Sequence, residues 1–233
     1  MNRLLAIAAI VIAIGAATYV AWTWAYPTGT LRYRMTVEVE VNGEIRTGSS
    51  VLEARFTLPP PSPVGGNRVT TRMRGDAAVV DLGDRGLLFV LLTGRPTESS
   101  RGFYSDPEAI AVSAFFGTSI GSLPEHTIRE MSQMTLKAEL GPQLLPMMVR
   151  FGDIDDPKTV EWVRPGEFAD HYGLGARFIR ATLETTDDPV TTGIRQLLPW
   201  LEGFKGTFGG LGRPSQTEPE KNLTGNEFIK GRP

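Results

Sequence analysis

The feature that most constrains this chain is an uncharged segment near its N-terminus. No charged residue occurs between Arg3 and Arg32. The apolar stretch that starts at Leu4 and ends at Trp24 would reach about 31 Å as a helix, roughly the thickness of the hydrocarbon core of a bilayer. Aromatic residues that favour the membrane interface cluster at its C-terminal end: Tyr19, Trp22, Trp24 and Tyr26. The sequence therefore predicts one membrane anchor.

A cleavable signal peptide is the alternative, because Gly15 and Ala17 are small residues of the kind found at cleavage sites. The apolar stretch continues past them into the aromatic cluster, which favours an uncleaved anchor. Charge gives almost no information on orientation, since Arg3 lies on one side and Arg32 and Arg34 lie on the other. We expect the N-terminal tail to stay inside and the domain to be exported.

Composition narrows the classes of function. The 24 basic and 26 acidic residues nearly balance, so no basic surface for nucleic acid is expected. Cysteine is absent. Disulfides, thiolate metal sites and the lipid-modified cysteine of a bacterial lipoprotein are therefore excluded, and we expect no cofactor. The peptide itself must then be the anchor.

A β-hairpin is predicted directly after the anchor. Residues 33–41 alternate apolar odd positions with polar even positions, as a half-buried strand does. Asn42-Gly43 is a preferred two-residue hairpin turn. On the return strand the apolar residues move to even positions from Leu52 onward, which predicts a β-bulge near Ser49 and Ser50.

Further strands alternate with short helices. The run 87–92 lacks alternation, which predicts a central strand covered on both faces. Asp106-Pro107 is typical of a helix start and predicts a helix to Phe116, and Asp188-Pro189 predicts a second capped helix that carries Ile194. Other expected strands are 68–74, 77–82, 144–151, 159–163 and 178–185, with helix then strand over 126–140 and a helix over 165–172.

These elements predict an α+β fold, with the N-terminal helix followed by one mainly antiparallel β-rich domain and a few short helices. We place the anchor at 1–27, the domain at 28–202 and a C-terminal tail at 203–233. Prolines predict an irregular loop at 59–66. The tail is rich in glycine, proline and polar residues, so we expect it to be extended or mobile, with docking through Leu223, Phe228 and Ile229 as the alternative.

One short motif points to hydrolysis. Residues 117–121 read GTSIG and match the nucleophile-elbow pattern, with Ser119 as nucleophile and Asp153 and His171 as partners in chain order. The elbow needs a strand before the serine and a helix after it, whereas here a predicted helix precedes the serine and Pro124 interrupts the segment after it. A helix end and a loop are favoured over a serine hydrolase.

Two other groups are weaker candidates. Asp153, Asp155 and Asp156 gather carboxylates that suit calcium, but they depart from the EF-hand pattern, so a solvated turn in which Asp156 accepts backbone amides is favoured. Neither His126 nor His171 has zinc-ligand spacing. The last group lies on one face of a predicted strand and consists of Arg68, Arg72 and Arg74. Binding of an anionic headgroup or a partner is one interpretation, and charges on a solvent-exposed face are favoured over it.

Five segments are distinctive when taken together: YRMTVEV at 33–39, RTGSSV at 46–51, FGDIDDPKTV at 151–160, DPVT at 188–191 and LPWL at 198–201. They resemble a family of uncharacterised proteobacterial proteins with one N-terminal hydrophobic segment. The resemblance covers most of the domain and implies a Gram-negative envelope, but it carries over no catalytic residue. We therefore expect a single-pass inner-membrane protein whose domain faces the periplasm and contacts a membrane complex, without nucleic acid. Serine hydrolysis and ligand or calcium binding remain alternatives.

Overall fold

The computed structural model describes residues 2–60, 69–95, 106–210 and 217–231, with side chains from residue 7 onward. The first element is α1, Asn2–Ala25, and its stretch Ile7–Ala25 has a mean hydropathy of 1.8 with no part buried against the domain. This uncharged stretch, with none of its window buried in the domain, has the length and composition of a membrane span or of a signal sequence.

The domain is a mainly antiparallel α+β fold, as predicted. Its strands are β1 Thr28–Val41, β2 Glu44–Thr57, β3 Thr70–Asp76, β4 Ala78–Asp81, β5 Leu87–Gly94, β6 Lys137–Glu139, β7 Pro146–Phe151, β8 Val160–Trp162, β9 Ala176–Thr185 and β10 Ile229–Lys230. Its α-helices are α2 Pro107–Phe116, α3 Glu125–Glu130, α4 Phe168–Tyr172 and α5 Ile194–Leu197. The first sheet has the order β10-β3-β2-β1-β9-β6 and the second has the order β4-β5-β7-β8.

The core lies between the two sheets and is built by strand alternation. Leu31, Tyr33 and Val37 on β1 are at most 1% exposed, and their even-numbered neighbours face outward. The sheets meet closely at Gly48, where an added Cβ would lie 2.2 Å from the carbonyl oxygen of Val79 on β4. A side chain at position 48 would therefore push the sheets apart.

Most of the predicted elements are confirmed. The turn at Asn42-Gly43 has positive φ angles of 54° and 86°, as a type I′ hairpin requires. Strand β5 is a central strand between β4 and β7, and every residue after Leu87 is buried, with α2 and the short turn Gly225–Glu227 also in contact with it. Helix α2 begins at Pro107 and ends at Phe116, followed by Gly117 in the left-handed conformation at φ 64°.

The predicted bulge near Ser49 and Ser50 is wrong. The β1–β2 register runs unbroken from Thr28↔Thr57 to Val41↔Glu44. The apolar phase changes for another reason, because Ile45 faces outward and is 51% exposed. The irregularity lies instead between β1 and β9, where Glu38 pairs with Arg180 and Val39 with Phe178.

The helix predicted from Asp188 is also wrong in its start. Thr191 is held in an extended segment against β2, since its amide donates to the Val51 carbonyl at 3.0 Å and its hydroxyl accepts from the Val51 amide at 2.8 Å. Helix α5 begins only at Ile194. Asp76 on β3 caps the start of α5. Its Oδ2 accepts from the amides of Gly193 at 2.7 Å and Ile194 at 3.0 Å.

The described part of the C-terminal segment docks onto the domain and is not an extended or mobile tail. Phe208, Leu223 and Phe228 are each at most 1% exposed. The Phe228 ring meets Phe89 edge to face, and its carbonyl accepts from the Ala77 amide at 2.8 Å. Strand β10 then pairs with β3. Spaced aromatic residues anchor this glycine-rich stretch, so composition alone is misleading here. The loop predicted at 59–66 is irregular at Pro59 and Pro60 and otherwise lies outside the described residues.

Candidate functional site

The first sheet has two ends of different chemistry. We call the end next to α1, where Thr28, Thr57 and Thr70 lie side by side, the helix end. We call the opposite end, formed by the Asn42-Gly43 turn and the loop that precedes β9, the turn end. The Asn42 amide donates to the Gly175 carbonyl at 3.0 Å, so the turn and the loop move as one unit.

Direct contacts tie α1 to the helix end. The Arg129 guanidinium on α3 donates to the Trp24 carbonyl and lies over the Trp24 ring, 5.1 Å from its centroid. The Leu58 amide donates to the Pro27 carbonyl at 3.0 Å. The last turn of α1 and Pro27, which links the helix to β1, are thus both held by the domain, and this restricts the orientation of the helix relative to the domain.

Gly29 permits this arrangement. An added Cβ at position 29 would lie 1.8 Å from the Ile128 carbonyl oxygen and 2.8 Å from Met131 Cγ. Helix α3 therefore packs directly on the β1 backbone, which only a glycine allows. The close approach in turn places Arg129 within reach of Trp24.

The outer face at the helix end carries more arginine than carboxylate. In one row across the strands, Arg32 and Arg74 share Glu53, at 2.6 Å and 3.7 Å respectively. In the next row toward α1, Arg55 lies directly opposite Arg72. Both are exposed, and within the described residues neither has an ion pair or a hydrogen bond to its side chain.

A groove of about 650 Å³ runs beside Arg55 on this face. Half of its lining residues carry hydroxyl or amide groups, and they come from β1, from the segment after α3 and from the end of β9: Thr30, Ser132, Gln133, Thr135, Thr185 and Thr186. Arg32 separates this groove from a second one of about 690 Å³ that lies toward β10. The helix end thus offers a polar concave surface beside Arg55, which is unpaired within the described part of the chain.

Charges on the outer face toward the turn end are paired. Glu38 accepts from Arg180 at 2.8 Å, and Glu40 accepts from Arg177 at 2.6 Å. The hydrogen bond from Arg177 lowers the pKa of Glu40 from its ordinary value. Each glutamate here has its own arginine, in contrast to the arginine excess at the helix end.

The turn end also presents an exposed apolar side chain on a fixed loop. Arg85 Nη1 donates to the carbonyls of Tyr172, Gly173 and Leu174 at 2.7, 3.0 and 2.9 Å. Its Nη2 donates to Asn42 Oδ1 at 2.8 Å. Leu174 remains 88% exposed. One guanidinium thus holds the backbone while the leucine side chain projects into solvent.

The structure does not bring the predicted hydrolase residues together. Ser119 follows α2 and its hydroxyl donates to Ser122 Oγ at 3.1 Å. His171 Nδ1 lies 3.2 Å from Glu161 Oε2, which Arg150 also contacts at 3.0 Å. Within the described residues no hydrogen bond joins Ser119 to His171, and the strand–serine–helix order of a nucleophile elbow is absent around Ser119.

Two of the three aspartates in the proposed calcium turn, Asp153 and Asp156, use their carboxylates within the turn itself. Asp153 Oδ1 accepts from the Asp155 amide at 3.0 Å, and Asp156 Oδ1 accepts from the Lys158 amide at 2.9 Å. The local role expected for Asp156 is confirmed. Across the described residues, no group of three acidic or histidine side chains is arranged to hold a metal ion.

Two buried tyrosines have perturbed acidity. Burial, with a smaller effect of nearby Glu108, raises the pKa of Tyr33, whose hydroxyl donates to the Pro107 carbonyl at 3.3 Å. Burial also raises the pKa of Tyr172, whose hydroxyl donates to the Leu87 carbonyl at 3.1 Å. Both hydroxyls are structural donors within the core.

Sequence reasoning found part of the arginine surface and missed the rest. Arg72 and Arg74 share a strand face as predicted, whereas Arg68 lies outside the described residues. Arg55 was missed because its place opposite Arg72 depends on the β2–β3 register. The roles of Arg85 and Arg129 depend on contacts across more than forty positions, which no local pattern reveals.

No protein-family model, no curated protein and no solved structure matches the chain.

Proposed function

We propose that this protein is a single-pass envelope protein that acts by contact with another membrane protein rather than by catalysis. Helix α1 holds it in the bacterial inner membrane, and its domain lies in the periplasm. The proteobacterial resemblance of the sequence supports this setting. The observation that carries the proposal is the set of hydrogen bonds from Arg85 to the loop around Leu174, which we call the Arg85 clamp. It fixes Leu174 as an exposed apolar contact at the end of the domain remote from α1.

The clamp favours a binding role because it removes disorder before any partner arrives. A loop that must be ordered on binding loses affinity, whereas a preorganised loop does not. Gly173 and Gly175 on either side of Leu174 have φ angles of 82° and 81°, so the backbone itself is built to turn this side chain outward. Ile45, 51% exposed, extends the apolar character of the turn end.

Neither alternative gains support from the described geometry. Ser119 and His171 belong to separate hydrogen-bond networks, and the carboxylates of Asp153 and Asp156 accept amides of their own turn. A general base must lie within hydrogen-bond reach of its nucleophile, directly or through one water.

Photocrosslinking in the native membrane tests the proposal. A photoreactive residue replaces Leu174, with exposed Gln143 as the control position on the loop after β6. We expect a discrete crosslinked membrane protein from position 174 that is absent from position 143. Equal products at both positions, or none at 174, would contradict the proposal.

Thiol labelling tests the orientation, and the absence of native cysteine makes it unambiguous. In Gln143→Cys, a membrane-impermeant maleimide added to spheroplasts should label the domain without lysis. Labelling that appears only after lysis would place the domain in the cytoplasm.

A further inference from the structure

We propose that the helix end binds the phosphate of an anionic lipid headgroup between Arg55 and Arg72. The inference requires α1 to span a membrane, but it is independent of the partner at the turn end and of which leaflet the domain faces. It adds a second, lipid-specific contact to a domain already tied to the bilayer by its helix.

The first argument is the pairing of two like charges. Arg55 lies directly opposite Arg72 on neighbouring strands, an arrangement that destabilises a sheet. The nearest carboxylate in the register, Glu53, is already shared by Arg32 and Arg74. A phosphate between the two guanidinium groups offsets their repulsion and accepts charge-assisted hydrogen bonds from both.

The row that contains Arg55 and Arg72 lies close to the end of α1. Arg55 pairs with Thr30, which is two residues beyond the start of β1 and five beyond the end of α1. Five extended residues span at most about 17 Å. The headgroup region adds about 5 to 7 Å on each side of the hydrocarbon core, so the long arginine side chains of this row lie at or just outside the phosphate layer. The contacts of Trp24 and Pro27 with the domain keep the row at this height.

The third argument is the groove beside Arg55. Hydroxyl and amide side chains such as Thr30, Ser132 and Gln133 line it, and they suit the hydroxyls of a glycerol headgroup. Of the two carboxylates on its wall, Glu53 is held by Arg32 at 2.6 Å, so it does not neutralise Arg55.

Lipid selectivity of the full chain tests the proposal. The protein is reconstituted in phosphatidylcholine vesicles that contain a trace of spin-labelled phosphatidylglycerol or spin-labelled phosphatidylcholine. The measured quantity is the ratio of the two association constants. Arg55→Gln/Arg72→Gln should lower this ratio by about fivefold or more, since one arginine near an anionic headgroup contributes about that factor.

The matched control is Arg177→Gln/Arg180→Gln, which removes the same charge from the outer face toward the turn end and should leave the ratio unchanged. An unchanged melting temperature in the Arg55→Gln/Arg72→Gln variant shows that its fold is intact. The proposal is overturned if the two double variants lower the ratio equally, or if the first leaves it unchanged. Inorganic phosphate that lowers the ratio at an ionic strength where chloride does not would support a phosphate site, whereas a parent ratio of one would overturn lipid binding.

Discussion

The helix end and the turn end of the same sheet differ in every property that decides what a surface contacts. At the helix end Arg55 and Arg72 lack partners among the described residues, and α3 packs tightly on Gly29. At the turn end the charges on the outer face are paired, and Leu174 projects from a clamped loop. One sheet thus separates a cationic surface suited to phosphate from an apolar contact suited to protein.

The largest expected effect breaks the helix end. Gly29→Ala places a methyl group 1.8 Å from the Ile128 carbonyl oxygen, so α3 must move off β1. We expect a loss of about 3 kcal/mol in the free energy of unfolding, measured by denaturant titration of the full chain in detergent. The control is Gly141→Ala, where the new Cβ meets no atom within 4 Å. Equal losses in the two variants would refute the close packing at Gly29.

The next largest effect is a loss of stability at alkaline pH, caused by two buried tyrosines. The raised pKa values of Tyr33 and Tyr172 mean that the folded protein keeps both protons at a pH where the unfolded chain releases them. The contribution of the two protonated tyrosines to the free energy of unfolding is fully present below the unfolded pKa of about 10 and is lost as pH rises above it. We expect each tyrosine to add about 1.4 kcal/mol per pH unit to the loss of stability there. Tyr33→Phe and Tyr172→Phe should each remove one tyrosine's contribution to the slope of unfolding free energy against pH. A slope unchanged in both variants would contradict the burial of the two hydroxyls.

A smaller effect is expected from a variant that loosens only the turn end. Arg85→Gln removes the donor that holds the carbonyls of Tyr172, Gly173 and Leu174. We expect about 1 kcal/mol of lost stability and faster amide hydrogen exchange over residues 173–176, without change near Gly29. Arg46→Gln, which breaks only an exposed pair with Glu44, should leave exchange in that loop unaltered. Unchanged exchange in the Arg85 variant would show that the clamp does not fix Leu174.

The smallest effect distinguishes binding from stability at the helix end. Arg55→Gln/Arg72→Gln removes two exposed charges that make no ion pair within the described residues, so we expect a change within about 0.5 kcal/mol of the parent in the absence of anionic lipid. Thermal unfolding in neutral detergent measures it. A loss of several kcal/mol would mean that the two arginines support the fold.

The sequence predicts what depends on local pattern. Alternation located β1, and an unbroken apolar run located β5. The Asn42-Gly43 dipeptide located the hairpin turn, and Asp106-Pro107 located α2. All these signals act within a few residues, where hydrophobic pattern and backbone preference decide the conformation.

Its errors lie where distant contacts override local preference. Asp188-Pro189 has the chemistry of a helix start, but hydrogen bonds to Val51 keep the following residues extended, and Asp76 from β3 caps α5 instead. The same limit applies to the site. Arg55 and Arg85 gain their roles from strand register and from a contact with a remote loop, which a single sequence does not encode locally.

The central claim is that the helix end lies on the bilayer surface while the turn end points away from it. The cysteine-free chain permits single spin labels at Thr57→Cys and Leu174→Cys in nanodiscs that carry a nickel-chelating headgroup lipid. We predict strong relaxation enhancement by nickel at position 57 and little at position 174. Equal enhancement at both positions, or a larger one at 174, would contradict this orientation.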